Sequence, residues 1–472
     1  DLHVRSRRQR QMCIRDSKVM CGVIGIYSQS NVSKKLFYGL NSLQHRGQEA
    51  SGICVFDGKN MVLDKGMGLV YDNFDDESFI KLQGNIGIGH VRYATAGGSY
   101  EYNSQPLLAF SKNREFALAH NGNLVNHKSI RRELEDEGML FQTAIDTEVI
   151  LSLVAKYYKG DIVEAVKKTM ARIKGAYSVV MLFEDKLIAF RDPYGFRPLL
   201  IGRAKNGEVI IASENAPLEI IGTDAIRDVE PSEIIVVDKK GIHSDFFEKE
   251  DKKHCIFEYV YFARTDATLD GVNSYNFRRR CGEILSKEAP VEADLVLAVP
   301  DSGTPGAMGY AQESGIPFAE GLVKNRYMGR TFIKPTAEER ELSVKLKLNP
   351  LETVLRDKRI VLVDDSIVRG TTSKNLIMRM KKAGAKEVHM RIVSPPVKYP
   401  CFYGIDTPSR KKLIAANYSV EEMRERIGAD SLAFISMEGM LDATLMKEDV
   451  FCKACFNGDY AVEPKELVED EK

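Results

Sequence analysis

The chain has 472 residues, of which 44% are hydrophobic, and its 67 lysine and arginine residues are balanced by 67 aspartate and glutamate residues. A chain of this length predicts two or three domains, each large enough to bury a core. The formal net charge of zero argues against a nucleic-acid-binding surface, and no apolar stretch is long enough to span a bilayer. We therefore expect small molecules and other subunits as partners, with no nucleic acid and no membrane.

The first twenty residues differ from the rest of the chain. The run from Arg5 to Arg10 is basic and lacks the apolar core of a secretory signal. We interpret residues 1–20 as an extraneous leader or a removable propeptide, with an organellar presequence as a weaker alternative.

Cys21 stands directly after Met20, at the head of an apolar, glycine-spaced strand that runs to Ile26. Removal of Met20 would give Cys21 an α-amine, whose ordinary pKa of about 8 lets it accept the thiol proton near neutral pH. Cys21 is therefore a candidate nucleophile with its own base, and it should be inactive towards an amide while residue 20 is attached. The alternative is an unreactive buried cysteine.

Three later motifs supply groups that the hydrolysis of an amino-acid amide needs. The Asn121 side chain and the Gly122 backbone N–H can donate to an oxyanion. Arg92 and Asp146 can hold an α-carboxylate and an α-ammonium group. Each motif has a simpler alternative: a surface ion pair for Arg92, a type I′ turn for Asn121-Gly122, and a helix N-cap for Asp146.

The pattern of apolar strands changes along the chain. Up to about residue 250, short strands such as 178–183, 199–202 and 234–237 alternate with turns and two helical stretches, which predicts layered sheets faced by helices. The wholly charged run 249–253 predicts a surface boundary. Beyond it the strands are continuously apolar and separated by helices, which predicts a parallel sheet covered on both faces. The predicted fold class is α/β, with an α+β N-terminal half.

The run from Ile360 to Ser373 predicts a sugar-phosphate site. A buried strand ends at Asp364 and Asp365, and the hydroxyl- and glycine-rich stretch 366–372 precedes a helix predicted over 374–382. The crevice at the carboxyl end of such strands binds ligands, and the helix N-terminus favours an anion. Since like charges repel, the aspartates are better placed to hold ribose hydroxyls or Mg²⁺. The alternative is an ordinary turn between a strand and a helix.

Two further loops belong near this crevice. Residues 300–306 also end a strand in a hydroxyl- and glycine-rich loop, although a plain turn is nearly as consistent with their chemistry. Residues 324–332 form a basic stretch with a glycine, which predicts either a loop that closes over an anion or a solvated basic loop.

The cysteines include one informative pair. Cys452 and Cys455 have the two-ligand spacing that zinc sites, iron–sulfur sites and redox pairs share, so the remaining ligands must come from elsewhere.

Taken in order, the motifs after Cys21 resemble the glutamine amidotransferase domain of the N-terminal-nucleophile type. The run 360–373 resembles the phosphoribosylpyrophosphate (PRPP) motif of type I phosphoribosyltransferases. Together they resemble the iron–sulfur-containing branch of the glutamine PRPP amidotransferase family. The resemblance implies an αββα glutaminase domain over residues 21–253. It also implies a phosphoribosyltransferase domain with a C-terminal cluster-binding tail over residues 254–472.

The resemblance also implies the site residues. The catalytic residues would be Cys21, Asn121 and Gly122, and glutamine would be bound by Arg92, Asp146, Arg46 and Thr95. PRPP would be bound by Asp364, Asp365, Ser366, Val368, Gly370, Thr371, Thr372, Lys324, Arg326 and Arg330. Mg²⁺ would be held by Ser302, Asp364 and Asp365. A structural [4Fe–4S] cluster would be held by Cys255, Cys401, Cys452 and Cys455, with zinc in the same cage as the competing hypothesis.

The implied activity is the use of glutamine nitrogen to convert PRPP into 5-phosphoribosylamine, the first committed step of purine biosynthesis. The resemblance further implies a cytoplasmic homo-oligomer, a homotetramer in this family, with purine nucleotides as feedback inhibitors. One alternative is a hexosamine-forming amidotransferase, which has no reason to carry the stretch 364–372. Others are a nucleotide-sensing regulator without enzymatic activity, which would not need Cys21, and a bare glutaminase, which would ignore PRPP.

Overall fold

In the computed structural model of the chain, the described residues are 20–93, 100–324 and 348–469. Residues 1–19, Thr95, Arg326 and Arg330 lie outside this part, so what the sequence predicts for them stays a prediction. No helix within the described ranges is both long and apolar enough to cross a membrane.

The first half of the chain forms two antiparallel sheets. Its strands are β1 (Gly22–Tyr27), β2 (Ala50–Phe56), β3 (Met61–Met67), β4 (Ile86–Arg92), β5 (Leu107–Ser111), β6 (Arg114–Leu124), β7 (Gly175–Phe183), β8 (Lys186–Arg191), β9 (Leu200–Ala204), β10 (Val209–Ala212), β11 (Thr223–Asp228), β12 (Glu233–Asp238) and β13 (Gly241–Phe246). One sheet has the order β11-β9-β10-β1-β4-β2-β3, and the other has the order β13-β12-β8-β7-β6-β5. The strand that begins after Cys21 is therefore central in the first sheet, between β10 and β4.

Helices cover the outer faces of these two sheets. The helices are α1 (Ser33–Ser42), α2 (Val70–Asn73), α3 (Asp76–Lys81), α4 (His127–Asp136), α5 (Thr147–Tyr157), α6 (Ile162–Met170) and α7 (Asn215–Ile221). Successive side chains of a strand point to opposite faces of its sheet, so they enter different cores. Val23 in β1 packs between the sheets with Leu182 of β7, whereas Ile24 packs outward with Leu36 and Leu40 of α1. The predicted αββα layering is confirmed.

The second half is built on a parallel sheet. Its strands are β14 (His254–Cys255), β15 (Thr268–Leu269), β16 (Val272–Asn273), β17 (Leu295–Ala298), β18 (Leu322–Lys324), β19 (Leu348–Pro350), β20 (Arg359–Asp364), β21 (Glu387–Ile392), β22 (Ser431–Phe434) and β23 (Phe451–Cys452). Strands β17, β20, β21 and β22 pair in this order, and every pair is parallel. The continuously apolar strands predicted beyond residue 253 are present as β17 and β20.

Helices flank this parallel sheet as well. They are α8 (Ser274–Glu288), α9 (Thr304–Ser314), α10 (Glu352–Leu355), α11 (Thr371–Lys382), α12 (Ile414–Asn417), α13 (Val420–Ile427), α14 (Met437–Asp442), α15 (Ala454–Asn457) and α16 (Lys465–Glu469). Val361 and Val363 share a core with residues of α8 and α9, whereas Ile360 and Leu362 share one with residues of α11 and α13. The sheet is thus covered on both faces, which confirms the prediction from its uninterrupted apolar strands.

The two halves share one of their cores. The cluster that contains Met20 and Ile24 also contains Phe257 and Phe277, so the outer face of the first sheet packs on the second half. Residues 249–252 are exposed between β13 and β14. A domain boundary at 253/254 stays our proposal.

Candidate active sites

The proposed nucleophile lies buried at the head of β1. Cys21 is 9% exposed, and its Sγ lies 3.8 Å from the Tyr93 carbonyl oxygen. Burial raises the pKa of the Cys21 thiol to about 11, and the Tyr93 backbone and the charge of Arg92 offset this only in part. With Met20 attached, the nitrogen of Cys21 is an amide and accepts no proton. A thiol with this pKa is almost wholly protonated near neutral pH, so this form has neither thiolate nor base.

The residue before the nucleophile is buried as well. Met20 has no exposed surface, and its Sδ lies 2.6 Å from Nη1 of Arg197. The same Arg197 nitrogen donates to Oε1 of Glu258, a residue of the second half, at 3.3 Å. Met20 therefore occupies the core between the two halves, immediately beside the nucleophile.

The structure places both proposed glutamine clamps near Cys21. The charges of Arg92 and Asp146, together with that of Glu49, all act on the Cys21 thiol. Arg92 is only 2% exposed and donates to Glu49 Oε1 at 3.0 Å, so its ion pair is a buried one and not the surface pair considered above. Asp146 precedes α5 but makes no capping hydrogen bond there, and its Oδ2 accepts from the Leu124 N–H at 2.8 Å.

The proposed oxyanion donors lie on β6, in the sheet that faces the nucleophile strand. Asn121 pairs with Ser178 and Gly122 with Tyr177, so the type I′ turn alternative is wrong. Asn121 is 1% exposed, and no described residue accepts a hydrogen bond from its Nδ2. A buried donor without an acceptor is costly, and such donors often mark functional positions.

Position 122 accepts only glycine. Its φ is +155°, and a Cβ atom there would lie 2.0 Å from the Ala176 carbonyl oxygen on β7. The backbone of Gly122 is thus pressed against the neighbouring strand, which fixes where its peptide groups point.

Arg46 makes contacts that the sequence did not indicate. Its side chain is fully buried, and its Nε donates to the Cys21 carbonyl oxygen at 3.1 Å. Its Nη2 donates to Glu258 at 2.8 Å, and Nη1 contacts Glu214. Burial alone would raise the pKa of Glu214, but the charges of His45 and Arg46 outweigh it and lower that pKa to about 2. Arg46 thus holds the backbone of the nucleophile within a buried ionic network.

Two buried histidines were not singled out from the sequence, although one lies two residues before Arg92 and the other directly before Asn121. His90 Nε2 lies 3.2 Å from the His120 carbonyl oxygen, and His120 Nδ1 lies 3.8 Å from Oδ1 of Asp146. Burial lowers the pKa of His90 to about 3 and also lowers that of His120, so both rings are neutral near pH 7. They contact Asp146 and the backbone of β6 without adding charge to the site.

In the second half, the paired aspartates lie where β20 ends. Asp365 is buried, and its Oδ2 accepts from Ser302 Oγ at 2.6 Å. Ser366 Oγ donates to the other oxygen of Asp365, and the Asp365 N–H donates to Oδ1 of Asp364 at 2.9 Å. The structure therefore joins the loop at Ser302 to the aspartates, as the proposed Mg²⁺ set requires. Two carboxylates and a hydroxyl are the oxygen ligands that Mg²⁺ prefers.

A close backbone approach brings these two loops together. A Cβ atom on Gly303 would lie 2.7 Å from the Val363 carbonyl oxygen, so only glycine fits there. Lys324 forms an ion pair with Asp301 in the same loop, and both side chains are about half or more exposed. Lys324 therefore stands at this crevice, while its proposed partners Arg326 and Arg330 lie outside the described residues.

The predicted phosphate loop leads into a longer helix than the sequence indicated. Gly370 has φ +78° and precedes α11, which begins at Thr371 and not at residue 374. Thr371 and Thr372 are exposed in its first turn, where N–H groups and the helix dipole favour an anion. The carbonyl of Val368 accepts from the Ile414 N–H at 2.9 Å, which fixes the loop from the other side.

The four proposed cluster ligands come from three separate stretches of chain. Cys255 and Cys452 are register partners in the parallel pair of β14 and β23. Burial raises the pKa of Cys452, and the charges of Cys255 and Cys401 raise it further, which places these three thiols near one another. Cys455 lies three residues after Cys452, in α15, and is buried. Among the described residues, no three His, Cys, Asp or Glu side chains converge on the position of a single ion.

Two family models match the chain in the order that the folds suggest. A glutamine amidotransferase domain matches residues 90–219, and a phosphoribosyl transferase domain matches residues 276–396. The first match falls in the half with the two antiparallel sheets, and the second falls in the half with the parallel sheet.

Individual relatives are similar over nearly the whole chain. The amidophosphoribosyltransferase of Methanocaldococcus jannaschii is 48% identical over 464 residues, which cover 94% of this chain and 98% of that protein. The Bacillus subtilis amidophosphoribosyltransferase is 44% identical, and the alignment covers 95% of each. A solved structure of the glutamine PRPP amidotransferase from B. subtilis, complexed with ADP and GMP, superposes with a TM-score of 0.89 at 43% identity. It covers 94% of this chain and 98% of that one.

Proposed function

The chain belongs to the amidophosphoribosyltransferase family, and we propose how its residues divide that reaction between two sites. The enzyme is a glutamine-dependent pentosyltransferase of purine biosynthesis, which makes 5-phosphoribosylamine, glutamate and pyrophosphate from PRPP, glutamine and water.

The first site releases ammonia from glutamine. Once residue 20 is removed, the α-amine of Cys21 takes the thiol proton, and the thiolate attacks the side-chain carbonyl carbon. Asn121 Nδ2 and the Gly122 N–H stabilise the oxyanion. The proton passes to the leaving ammonia, and water then cleaves the thioester to give glutamate.

Other residues hold the substrate and the nucleophile. Arg92 binds the α-carboxylate and Asp146 the α-ammonium group of glutamine. Thr95 and Arg46 support the binding of glutamine, and Arg46 also positions Cys21 through its carbonyl group. One observation carries this assignment. The buried Asn121 Nδ2 has no described acceptor, and the opposite charges of Arg92 and Asp146 both act on the Cys21 thiol.

The second site transfers the ammonia to PRPP. Ser302, Asp364 and Asp365 would hold Mg²⁺, which supplies charge stabilisation for the leaving pyrophosphate. Ser366, Val368, Gly370, Thr371 and Thr372 surround the 5-phosphate, and Asp364 and Asp365 meet the ribose. Lys324, Arg326 and Arg330 neutralise the pyrophosphate as ammonia displaces it from the anomeric carbon. We propose that ammonia reaches this carbon by an internal passage.

A coupled assay tests the whole proposal. Processed enzyme that begins at Cys21 is incubated with glutamine, Mg²⁺ and PRPP, and glutamate and pyrophosphate are measured together. We expect equal amounts of both, with little glutamate in the absence of PRPP. Glutamate release that is indifferent to PRPP would favour a bare glutaminase, and consumption of a hexose phosphate would favour the hexosamine-forming alternative.

Replacing Asn121 with alanine tests the oxyanion assignment. We expect kcat for glutamine hydrolysis to fall by about 10²-fold to 10³-fold, because one preorganised oxyanion donor is lost. The free energy of unfolding should change little, since Asn121 Nδ2 has no described acceptor in the free enzyme.

Asn126→Ala provides the matched control. Asn126 bridges the Arg172 carbonyl and the Lys174 N–H at 2.9 and 2.8 Å, respectively. This control should lose thermal stability and keep kcat. If both variants lose stability and activity alike, Asn121 has only a structural role.

A [4Fe–4S] cluster held by Cys255, Cys401, Cys452 and Cys455 is the cofactor that we propose besides Mg²⁺. Two observations support it: Cys255 and Cys452 are register partners, and the charges of Cys255 and Cys401 act on the Cys452 thiol. Iron and acid-labile sulfide assays on anaerobically purified enzyme should give about four of each per chain, as such a cluster requires. Zinc alone would contradict the cluster.

The remaining proposals concern partners and location. We propose a cytoplasmic homo-oligomer, a homotetramer by family resemblance, that purine nucleotides inhibit. The B. subtilis structure with ADP and GMP supports nucleotide binding in this family.

A further inference from the structure

A short segment of the second half lies directly on the strand that carries the proposed oxyanion donors. In this segment, Cys401–Gly404, the Phe402 carbonyl accepts from Asn123 Nδ2 at 2.8 Å. A Cβ atom on Gly404 would lie 3.0 Å from the Gly122 carbonyl carbon and 3.1 Å from its Cα. The two backbones are thus in contact, although the residues are far apart in sequence.

Gly122 is consequently held from two sides. On one side its Cα faces the Ala176 carbonyl of β7, where a Cβ atom would come within 2.0 Å. On the other side it meets Gly404, which has φ +105°. An oxyanion donor is effective only within a narrow range of positions, so a displacement of a few tenths of an ångström here would weaken it.

The segment has its own firm support. The ring of Tyr403 stacks on Phe196, with centroids 4.3 Å apart and an interplanar angle of 22°. The Tyr403 hydroxyl donates to the Val462 carbonyl at 2.7 Å and accepts from the Val462 N–H at 2.8 Å. The Tyr403 N–H in turn donates to Cys401 Sγ at 3.3 Å. The segment is therefore tied to the first half, to the C-terminal tail and to a proposed cluster ligand.

We propose that Asn123 and Gly404 are positioning residues for glutamine hydrolysis, through which the segment Cys401–Gly404 sets the place of the Asn121 and Gly122 donors. This inference rests on the proposed oxyanion role of those two donors. It also gives the second half a direct means of controlling the first reaction. Cys401 begins the segment, so a cluster bound there would fix one of its ends.

Gly404→Ala tests this inference in the processed enzyme. The new Cβ would push on Gly122, so we expect kcat for glutamine hydrolysis to fall at least tenfold. The KM for glutamine and the ammonia-dependent synthesis of 5-phosphoribosylamine should stay within about twofold of wild type. The ammonia-dependent rate also reports whether the variant has folded.

Gly428→Ala is the matched control. Gly428 also has a left-handed backbone, with φ +77°, but no atom lies within 4 Å of its Cβ position. It too needs a positive φ but lacks the contact, so its glutamine-dependent kcat should equal that of wild type. Asn123→Ala, which removes only the hydrogen bond to Phe402, should lower kcat in the same direction by about threefold to tenfold, the equivalent of one hydrogen bond.

Iron content provides a readout that is independent of activity, and Gly404→Ala should leave it unchanged. The inference is overturned if Gly404→Ala lowers the glutamine- and ammonia-dependent rates equally, if its iron falls in proportion to its activity, or if it matches Gly428→Ala. Absence of glutaminase activity in the wild-type enzyme would instead refute the proposed function itself.

Discussion

Cys21→Ala is expected to abolish glutamine-dependent synthesis of 5-phosphoribosylamine, by on the order of 10³-fold or more, while synthesis from added ammonia stays within about twofold of wild type. The variant lacks the sulfur that forms the proposed thioester, but the second site needs only ammonia. The two rates should be measured on the same preparation, as pyrophosphate released with each nitrogen donor.

Cys54→Ala is the appropriate control. Cys54 lies fully buried in β2 of the same sheet and has no role in the proposed chemistry. Both of its rates should stay near wild type. A chain that retains Met20 should behave like Cys21→Ala, and mass spectrometry of active enzyme should find Cys21 at the N-terminus. Loss of the ammonia-dependent rate in Cys21→Ala would contradict the division into two sites.

Asp365→Asn should have the converse effect. The buried Asp365 carboxylate organises the Ser302 loop and is one of the proposed Mg²⁺ ligands. Because metal-assisted stabilisation is worth several kcal/mol, we expect synthesis from both nitrogen donors to fall by about 10²-fold or more. Basal glutamine hydrolysis should persist, since it takes place in the other half.

Asp430→Asn controls for the loss of a carboxylate in the same sheet. Asp430 accepts from the Val388 N–H at 2.7 Å near the amino end of β21, at the opposite edge from the proposed PRPP site. It should lower stability modestly and leave both rates intact. Equal rate losses in the two variants would show that the effect of Asp365 is on folding.

Features that depend on local periodicity could be predicted from the sequence. Strand β20 and the parallel sheet follow from continuous apolar runs between helices, and β1 follows from the apolar run after Cys21. The start of α11 was misplaced by three residues because Gly370 ends the loop in a left-handed conformation and lets Thr371 begin the helix. The types and spacing of the residues around Thr371 do not indicate at which residue the loop ends and the helix begins.

Features that join distant residues were beyond local patterns. Arg46 was assigned to the substrate from its motif, yet its partners Glu214 and Glu258 are 168 and 212 residues away. The type I′ turn at Asn121-Gly122 was a reasonable alternative until the pairing of β6 with β7 showed an unbroken ladder through both residues. The contact of Gly404 with Gly122 has no sequence signature, because a glycine adapted to close packing resembles a glycine in any turn.

The core shared by Ile24, Phe257 and Phe277 has a consequence for how the protein can be divided. Excision of either half would expose apolar side chains that now pack across the interface, so neither half is a self-contained module. Calorimetry should therefore record one joint melting transition, and a gene fragment that encodes the sandwich alone should yield insoluble protein.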